Sequence, residues 1–185
     1  MTPFVYHLAG PPGSGKRTIG LHLARLTGAV LLDNHLFRDA VYRPYGADGV
    51  RPIPPEIQEL GSRVWALGLQ SARLAPRDVS QIFTAYHPDR EGSRASAGRL
   101  RAVAVDRGAV YVPVWLECDV DELARRMTLP EREERAKMRD PQALREALAT
   151  SGTLAAPPGA IRLDTARLAP ADAALLIASH AGALF

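Results

Sequence analysis

One glycine-rich stretch near the N-terminus constrains this 185-residue chain more than any other feature. Residues 10–16 read G-P-P-G-S-G-K and match the spacing G-x-x-x-x-G-K. The apolar run 4–9 before them predicts a buried strand, and apolar residues at 19, 23 and 26 predict a helix that ends near Gly28. Strand, glycine loop and helix in this order are the context in which such a loop binds phosphate.

The loop supplies the chemistry of an anion site. Glycines at 10, 13 and 15 let successive backbone N–H groups point inward, and the following helix adds its positive end. Lys16, one of only two lysines in the chain, is expected to reach the terminal phosphates and to stabilise the charge that develops during transfer. We therefore predict that the following residues bind a nucleotide, with Lys16 also catalytic: Gly10, Pro12, Gly13, Ser14, Gly15, Lys16, Arg17 and Thr18.

The position after Lys16 departs from the motif. A serine or threonine usually stands there and holds magnesium, but this chain has Arg17, and Thr18 follows one position late. We predict Thr18 and Asp33 as the residues that hold the ion, directly or through water. Arg17 could add positive charge at the phosphates, although a solvent-facing helix position is the interpretation that the sequence favours.

The rest of the chain alternates strands with helices. Strands are predicted at 29–32, 79–84, 110–116 and 160–163. Helices are predicted at 56–74, 95–107, 119–127, from 141 onward and at 170–181, with a short helical stretch directly after the second strand. Asp119 and Glu122 predict a capping box. This alternation is typical of an α/β domain with a parallel sheet covered on both faces, here a single domain over 1–185. The proline-rich and glycine-rich segment 43–55 is predicted to be a surface loop that could cover a substrate.

Polar residues at strand ends are the candidates for the acceptor side of the site. Asp33 ends the second strand, at the edge of the sheet where α/β proteins bind ligands, and could act as a general base or order magnesium-bound water. The alternative is that Asp33 caps the next helix. Asn34, His35 and Tyr86 are predicted to contact substrate, while Thr84 stands where many related sites have a second carboxylate.

A charged segment follows the fifth predicted helix. Residues 128–139 are predicted to form a lid whose arginines close on the nucleotide, the alternative being a solvated helix face with paired charges. Asp164 and Thr165, after the last strand, are expected near the nucleotide base, with capping the favoured role of Asp164.

These residues resemble the nucleoside-monophosphate-kinase-like branch of P-loop proteins, alongside shikimate kinase, gluconate kinase and chloramphenicol phosphotransferase. The resemblance rests on residues 10–18, Asp33, residues 123–126 and residues 163–165. It implies a five-stranded sheet in the order 2-3-1-4-5, ATP and Mg²⁺ as cofactors, and phosphoryl transfer to a small molecule. It also implies that Arg125 or Arg126 stacks on adenine and that Arg132 or Arg135 contacts the phosphates as catalytic residues.

A tunicamycin-resistance protein is similar in layout, so the resemblance also implies antibiotic modification or sequestration as an option. Arg17 and Thr84 keep a second alternative open, an ATP-binding module or slow NTPase. The sequence does not separate ATP from GTP.

Composition limits the classes of partner and cellular compartment that the sequence predicts. The formal charge of +3 is too small to predict a nucleic-acid partner, and no apolar run is long enough for a membrane span. A single cysteine, Cys118, excludes an internal disulfide and fits a reducing compartment. We expect a cytoplasmic protein, a monomer or homodimer, that binds a small-molecule acceptor.

Overall fold

The computed structural model describes residues 2–130 and 137–183, which form a five-stranded parallel sheet with helices on both faces. The strands lie in the order β2-β3-β1-β4-β5, as the resemblance implied, and every neighbouring pair is parallel. Their bounds are β1 (Phe4–Ala9), β2 (Val30–Leu32), β3 (Gln81–Ala85), β4 (Val110–Glu117) and β5 (Ile161–Asp164).

Helices follow the strands in turn, as the alternating pattern predicted. Those within the described ranges are α1 (Lys16–Thr27), α2 (Asn34–Tyr45), α3 (Pro55–Leu74), α4 (Ser93–Arg107), α5 (Val120–Met127), α6 (Pro141–Ser151) and α7 (Pro170–Gly182). Across these same ranges, we find no helix with the length and apolar character to cross a bilayer.

Alternating side chains of the central strands build two cores. On one face Tyr6 and Leu8 of β1 pack with α1 and α7, and on the other face Val5 packs with α3 and α4. Strands buried on both faces are apolar throughout, which is why the run 4–9 shows no polar alternation. The three-layer architecture is therefore confirmed.

Helix α2 is longer than the sequence indicated. The helix continues past Pro44 to Tyr45 and ends at Gly46, whose φ of 78° suits a left-handed cap. The predicted loop 43–55 was therefore wrong at both ends, and the segment between α2 and α3 spans only 46–54. Pro44 has no N–H to donate back along the helix, and α2 continues for only one residue beyond it.

Two glycines let α2 and α3 approach closely. A Cβ atom on Gly68 would lie 2.4 Å from the ring of Phe37, and one on Gly61 would lie 3.0 Å from the ring of Tyr42. The pair of helices therefore packs side by side, and this packing fixes the start of α2 at the carboxyl end of β2.

Helix α5 begins at the predicted cap. Asp119 accepts hydrogen bonds from the backbone N–H groups of Asp121 and Glu122, at 2.8 and 3.3 Å. The capping box itself was wrong, because the Glu122 carboxylate accepts from Arg125 and Arg126 instead of reaching back to the cap.

Candidate active site

A cavity of about 600 Å³ opens at the carboxyl edge of the sheet. Its walls come from the glycine loop and the start of α1, the β2–α2 junction, the end of β3, the end of α5 and the β5–α7 segment. Most of the predicted site residues therefore line one space. Gly10, Arg125 and Asp164 are not among the lining residues.

The glycine loop has a backbone that only glycine adopts without strain. Gly13 and Gly15 have φ values of 88° and 82°, in the left-handed region. A Cβ on Gly13 would also lie 2.6 Å from the Met127 methyl group, and one on Gly10 would lie 2.7 Å from the Leu116 carbonyl oxygen. Gly10 thus lies on the side of the loop that packs against β4, and it does not line the cavity.

Lys16 closes the loop on itself. Its Nζ donates to the carbonyl oxygens of Gly10 and Pro11 at 2.8 and 2.7 Å, and lies 3.4 Å from the buried Ser14 Oγ. The ammonium group is therefore already positioned beside the backbone N–H groups that an anion would bind.

Asp33 has the helix-capping role that the sequence left open as the alternative, and its roles as a base or magnesium ligand stay predictions. Its Oδ1 accepts from the His35 backbone N–H at 2.8 Å and so caps α2, while its Oδ2 lies 3.9 Å from Arg17 Nε. The Arg17 side chain is one third exposed and lines the cavity, so the favoured solvent-facing interpretation of Arg17 was wrong. The sequence missed this pairing because it joins the start of α1 to the end of β2, which only the fold brings together.

Asn34 and His35 lie at the first turn of α2, on the cavity wall. The Asn34 backbone N–H donates to Thr84 Oγ1 at 3.2 Å, which ties α2 to the end of β3. His35 Nδ1 lies 3.1 Å from Asp39 Oδ1, and Asp39 is 8% exposed. Sequence reasoning missed Asp39, although a carboxylate four residues after a histidine on a helix is a signal that could have found it.

Tyr86 also lines the cavity, and its hydroxyl donates to the Gly152 carbonyl oxygen at 2.7 Å. Beneath it, a hydrogen bond of 3.0 Å joins the Nε2 atoms of His7 and His87, and His7 Nδ1 lies 2.7 Å from the Tyr111 hydroxyl. Burial, and then the charge of Lys16, lowers the pKa of His87 to about 4. Burial likewise lowers the pKa of His7, so both rings are neutral at pH 7. This buried pair was not predicted.

Arg126 connects two walls of the cavity. Its guanidinium donates to the Gly13 carbonyl oxygen at 3.3 Å and to the Thr165 carbonyl oxygen at 2.7 Å. Arg125, by contrast, is exposed and makes a bidentate pair with Glu122. The two arginines that the resemblance treated as equivalent are therefore in different places, and only Arg126 can meet a ligand in the cavity.

The β5–α7 segment supplies the far wall. Thr165 is buried against Glu117, whose carbonyl oxygen accepts from the Thr165 N–H and hydroxyl. Asp164 is exposed and accepts from the Ala166 N–H at 2.9 Å, which closes the turn after β5. The favoured capping role was wrong, because the N-cap of α7 is Ala169.

The predicted lid is described only at its two ends. Arg132 and Arg135 lie outside the described residues. On the described flanks, Leu129, Lys137 and Met138 line the cavity.

Comparisons with known proteins were made on sequence and on structure, and no family model matches the chain. A cytidylate kinase of Roseiflexus castenholzii is 28% identical over 161 residues, which cover 68% of this chain and 69% of that protein. A candidate kinase from Chloroflexus aurantiacus superposes with a TM-score of 0.73 at 15% identity, covering 98% and 97% of the two chains. The tunicamycin resistance protein of Deinococcus radiodurans has a TM-score of 0.60 at 18% identity, covering 98% and 96%. The fold is that of the P-loop kinases.

Solved shikimate, gluconate and APS kinases share this P-loop kinase fold as well. These neighbours share the fold of the chain, and they differ widely in the molecules that their names mention. The acceptor must therefore be argued from the residues of this chain.

Magnesium accompanies the nucleotide in kinases of this fold, so the predicted ligands need a test. In the described part of the chain no three His, Cys, Asp or Glu residues cluster to hold a metal. Mg²⁺ commonly takes only one or two protein ligands and keeps water and phosphate oxygens. Asp33 and Thr18, which both line the cavity, fit that limited role, with Arg17 as a competing cation beside Asp33.

Proposed function

We propose that this protein is an ATP-dependent kinase that moves the γ-phosphate to a hydroxyl group of a small polar molecule. The observation that carries the proposal is a single cavity with a cationic glycine-loop wall on one side and a polar wall on the other. The glycine loop with Lys16 forms a phosphate site on one side, and Asp33, Asn34 and His35 form a polar surface on the other.

The phosphate side is cationic. Lys16 and Arg17 stand at the start of α1, where the helix end and the loop N–H groups also favour negative charge. These groups stabilise the charge that builds on the transferring phosphoryl group. Magnesium, when bound with the nucleotide, would neutralise phosphate oxygens and be held by Asp33 and Thr18.

The base of the nucleotide is assigned to the wall formed by Arg126, Thr165 and Leu168. Arg126 is fixed there by two backbone carbonyl groups, so its planar group can stack on a ring without losing its position. The predicted lid, 128–139, would then close over the phosphates, with Arg132 and Arg135 adding positive charge.

The acceptor is assigned to the wall with Asn34, His35 and Tyr86. This wall offers hydrogen-bond donors and acceptors, which suits a hydroxylated metabolite or a sugar-containing antibiotic. The resemblance to a tunicamycin resistance protein makes nucleoside antibiotics the first group to test.

Arg17 and Thr84 favour one alternative, an ATP-binding module that transfers no phosphate. Arg17 takes the place of the usual magnesium ligand, and Thr84 uses its hydroxyl to hold α2. In that case ATP would act as a conformational ligand.

The test combines binding and turnover. Isothermal titration calorimetry measures ATP affinity, and a coupled assay measures ADP release with sugars, polyols, nucleosides and antibiotics. Lys16→Ala should abolish both binding and release, while Arg25→Ala, an exposed cation on the same helix, should change neither. ATP binding without acceptor-dependent ADP release would support the binding module instead, and no ATP binding would end both readings.

A further inference from the structure

Helix α3 carries three exposed leucines, each seven positions after the one before. Leu60, Leu67 and Leu74 are 43%, 61% and 87% exposed. Seven residues make almost two full turns of an α-helix, so these side chains lie along one side of α3. Ile57 and Val64, both partly buried, complete the alternating spacing of three and four residues with which helices pack against each other. We call these five residues the α3 seam.

The α3 seam is not the face that holds α3 in the fold. Gly61 and Gly68 contact α2, and Leu69 and Ala72 belong to the core that α3 shares with α4. Single exposed apolar side chains are common on protein surfaces. Within 2–130 and 137–183, however, no other helix has more than two exposed large apolar side chains. A row of three along one helix is typical of a surface that binds a partner.

We propose that the α3 seam is a dimer interface, in which α3 of a second copy of this chain packs antiparallel to the first about a two-fold axis beside Leu67. The spacing of the leucines is self-complementary. Such an axis sets Leu67 against its own copy and Leu60 against Leu74 of the partner subunit, and symmetry repeats the second contact in reverse. All three leucines then leave water at once. The inference does not depend on the kinase function.

Charges at the two ends of α3 favour the antiparallel over the parallel arrangement. Glu56 and Glu59 lie near the start of the helix, and the exposed Arg77 follows its end. Arg73, in the last turn, already pairs with Asp106. A parallel pair of helices would place both carboxylates beside their own copies, where like charges repel. An antiparallel pair places them at the end of the second copy that carries the arginines.

The length of α3 determines the size of this interface. Its 20 residues extend over ~30 Å, and two such helices packed side by side bury on the order of 1,000 Å² in total. This area is at the lower limit for specific interfaces, so we expect a reversible dimer with a micromolar Kd. No residue of the α3 seam lines the cavity at the carboxyl edge of the sheet. Substitutions in the seam therefore test the interface without touching the candidate active site.

The experiment measures the mass of the full chain by sedimentation and light scattering over a range of protein concentrations. The wild-type mass should rise with concentration from that of one chain to that of two. Leu67→Glu should remain monomeric throughout, because its carboxylate would lie on the axis against its own copy. Leu175→Glu, at a 51% exposed position of α7, is the matched control and should dimerise as wild type does.

Further variants separate loss of the interface from loss of the fold and fix the direction of the helices. Circular dichroism should show wild-type helix content for Leu67→Glu, and Leu74→Glu, at a position with 87% exposure, gives a second test if Leu67→Glu folds poorly. Glu56→Arg and Arg77→Glu should each raise the dimer Kd by about tenfold, since symmetry applies every change twice. The two changes in one chain should restore the wild-type Kd, because opposite charges then face each other again.

Each contrary result overturns the inference. A wild-type chain that stays monomeric at every concentration has no such interface. A dimer that persists in both Leu67→Glu and Leu74→Glu must form through another surface. Single charge reversals that the double variant does not correct would exclude the antiparallel arrangement. A chain that stays monomeric but binds phosphatidylcholine vesicles, and loses that binding in Leu67→Glu, would show that the α3 seam meets a lipid surface and not a second copy.

Discussion

Arg107 offers a sharp test of how the fold is held together. It lies at the end of α4 and is 2% exposed, and no carboxylate within 2–130 or 137–183 forms an ion pair with it. Its two terminal nitrogens donate instead to four backbone carbonyl groups that join the end of α3 to the start of β3: those of Ala72, Ala75, Pro76 and Val79.

The magnitude for Arg107→Ala follows from those four acceptors. The Ala72 oxygen keeps a second donor, Gln81 Nε2 at 3.0 Å, so its loss is small. The other three are only partly buried, and each lost charge-assisted bond costs ~1–2 kcal/mol where water can enter. We expect a total of about 3–6 kcal/mol, a large share of the ~5–15 kcal/mol by which domains are stable.

The assay is urea unfolding followed by circular dichroism, with Arg73→Ala as the matched control. Arg73 comes from the same helix junction, but it makes an exposed pair with Asp106 at 2.8 Å, worth ~1 kcal/mol or less. If Arg107→Ala costs no more than Arg73→Ala, the carbonyl cluster does not carry the stability that we assign to it.

Three other predictions address packing, pH and charge. Gly68→Ala should destabilise by ~1–3 kcal/mol, because its Cβ would lie 2.4 Å from Phe37, whereas Gly98→Ala, with open space around it, should stabilise by ~0.5–1 kcal/mol in thermal unfolding. The free energy of unfolding should fall by about 2 kcal/mol between pH 7 and 5 through His87, because the unfolded chain binds a proton that the folded His87, with a pKa of about 4, does not; His87→Gln should flatten that slope. Arg17→Thr should make ATP binding more dependent on Mg²⁺, compared by calorimetry with and without EDTA, since it removes a cation and restores a metal ligand.

Each of these has a contrary result. Equal stability of the two glycine variants would mean that the helices separate easily. If the pH dependence of stability is unchanged in His87→Gln, groups other than His87 take up the protons on unfolding. An Arg17→Thr variant with wild-type magnesium dependence would mean that Arg17 stays beside Asp33 when ATP binds.

The phosphate loop could be predicted because its chemistry is local. The strand, the turn glycines and Lys16 are contiguous, so sequence spacing fixes their arrangement. The strand order was available only through the resemblance, since alternating strands and helices allow several orders of a parallel sheet.

The parts that the sequence missed depend on contacts between distant segments. His7 lies within an apolar strand, and its partner His87 becomes visible only when β1 and β3 pair. Arg107 looks like an ordinary cation at a helix end until the turn after α3 is folded against it. Asp39 is only four residues from His35 in the sequence, but the contact forms only if the helix after β2 extends to residue 39. The sequence predicted only a short helical stretch there.

The measurement that tests the central claim most directly is transfer of γ-labelled phosphate from ATP to an alcohol, with the product identified by mass spectrometry. Wild-type protein with magnesium should yield a phosphorylated alcohol, and Lys16→Ala should yield none although it remains folded. ATP that stays intact with every alcohol tested, or equal transfer by Lys16→Ala, would contradict the kinase assignment.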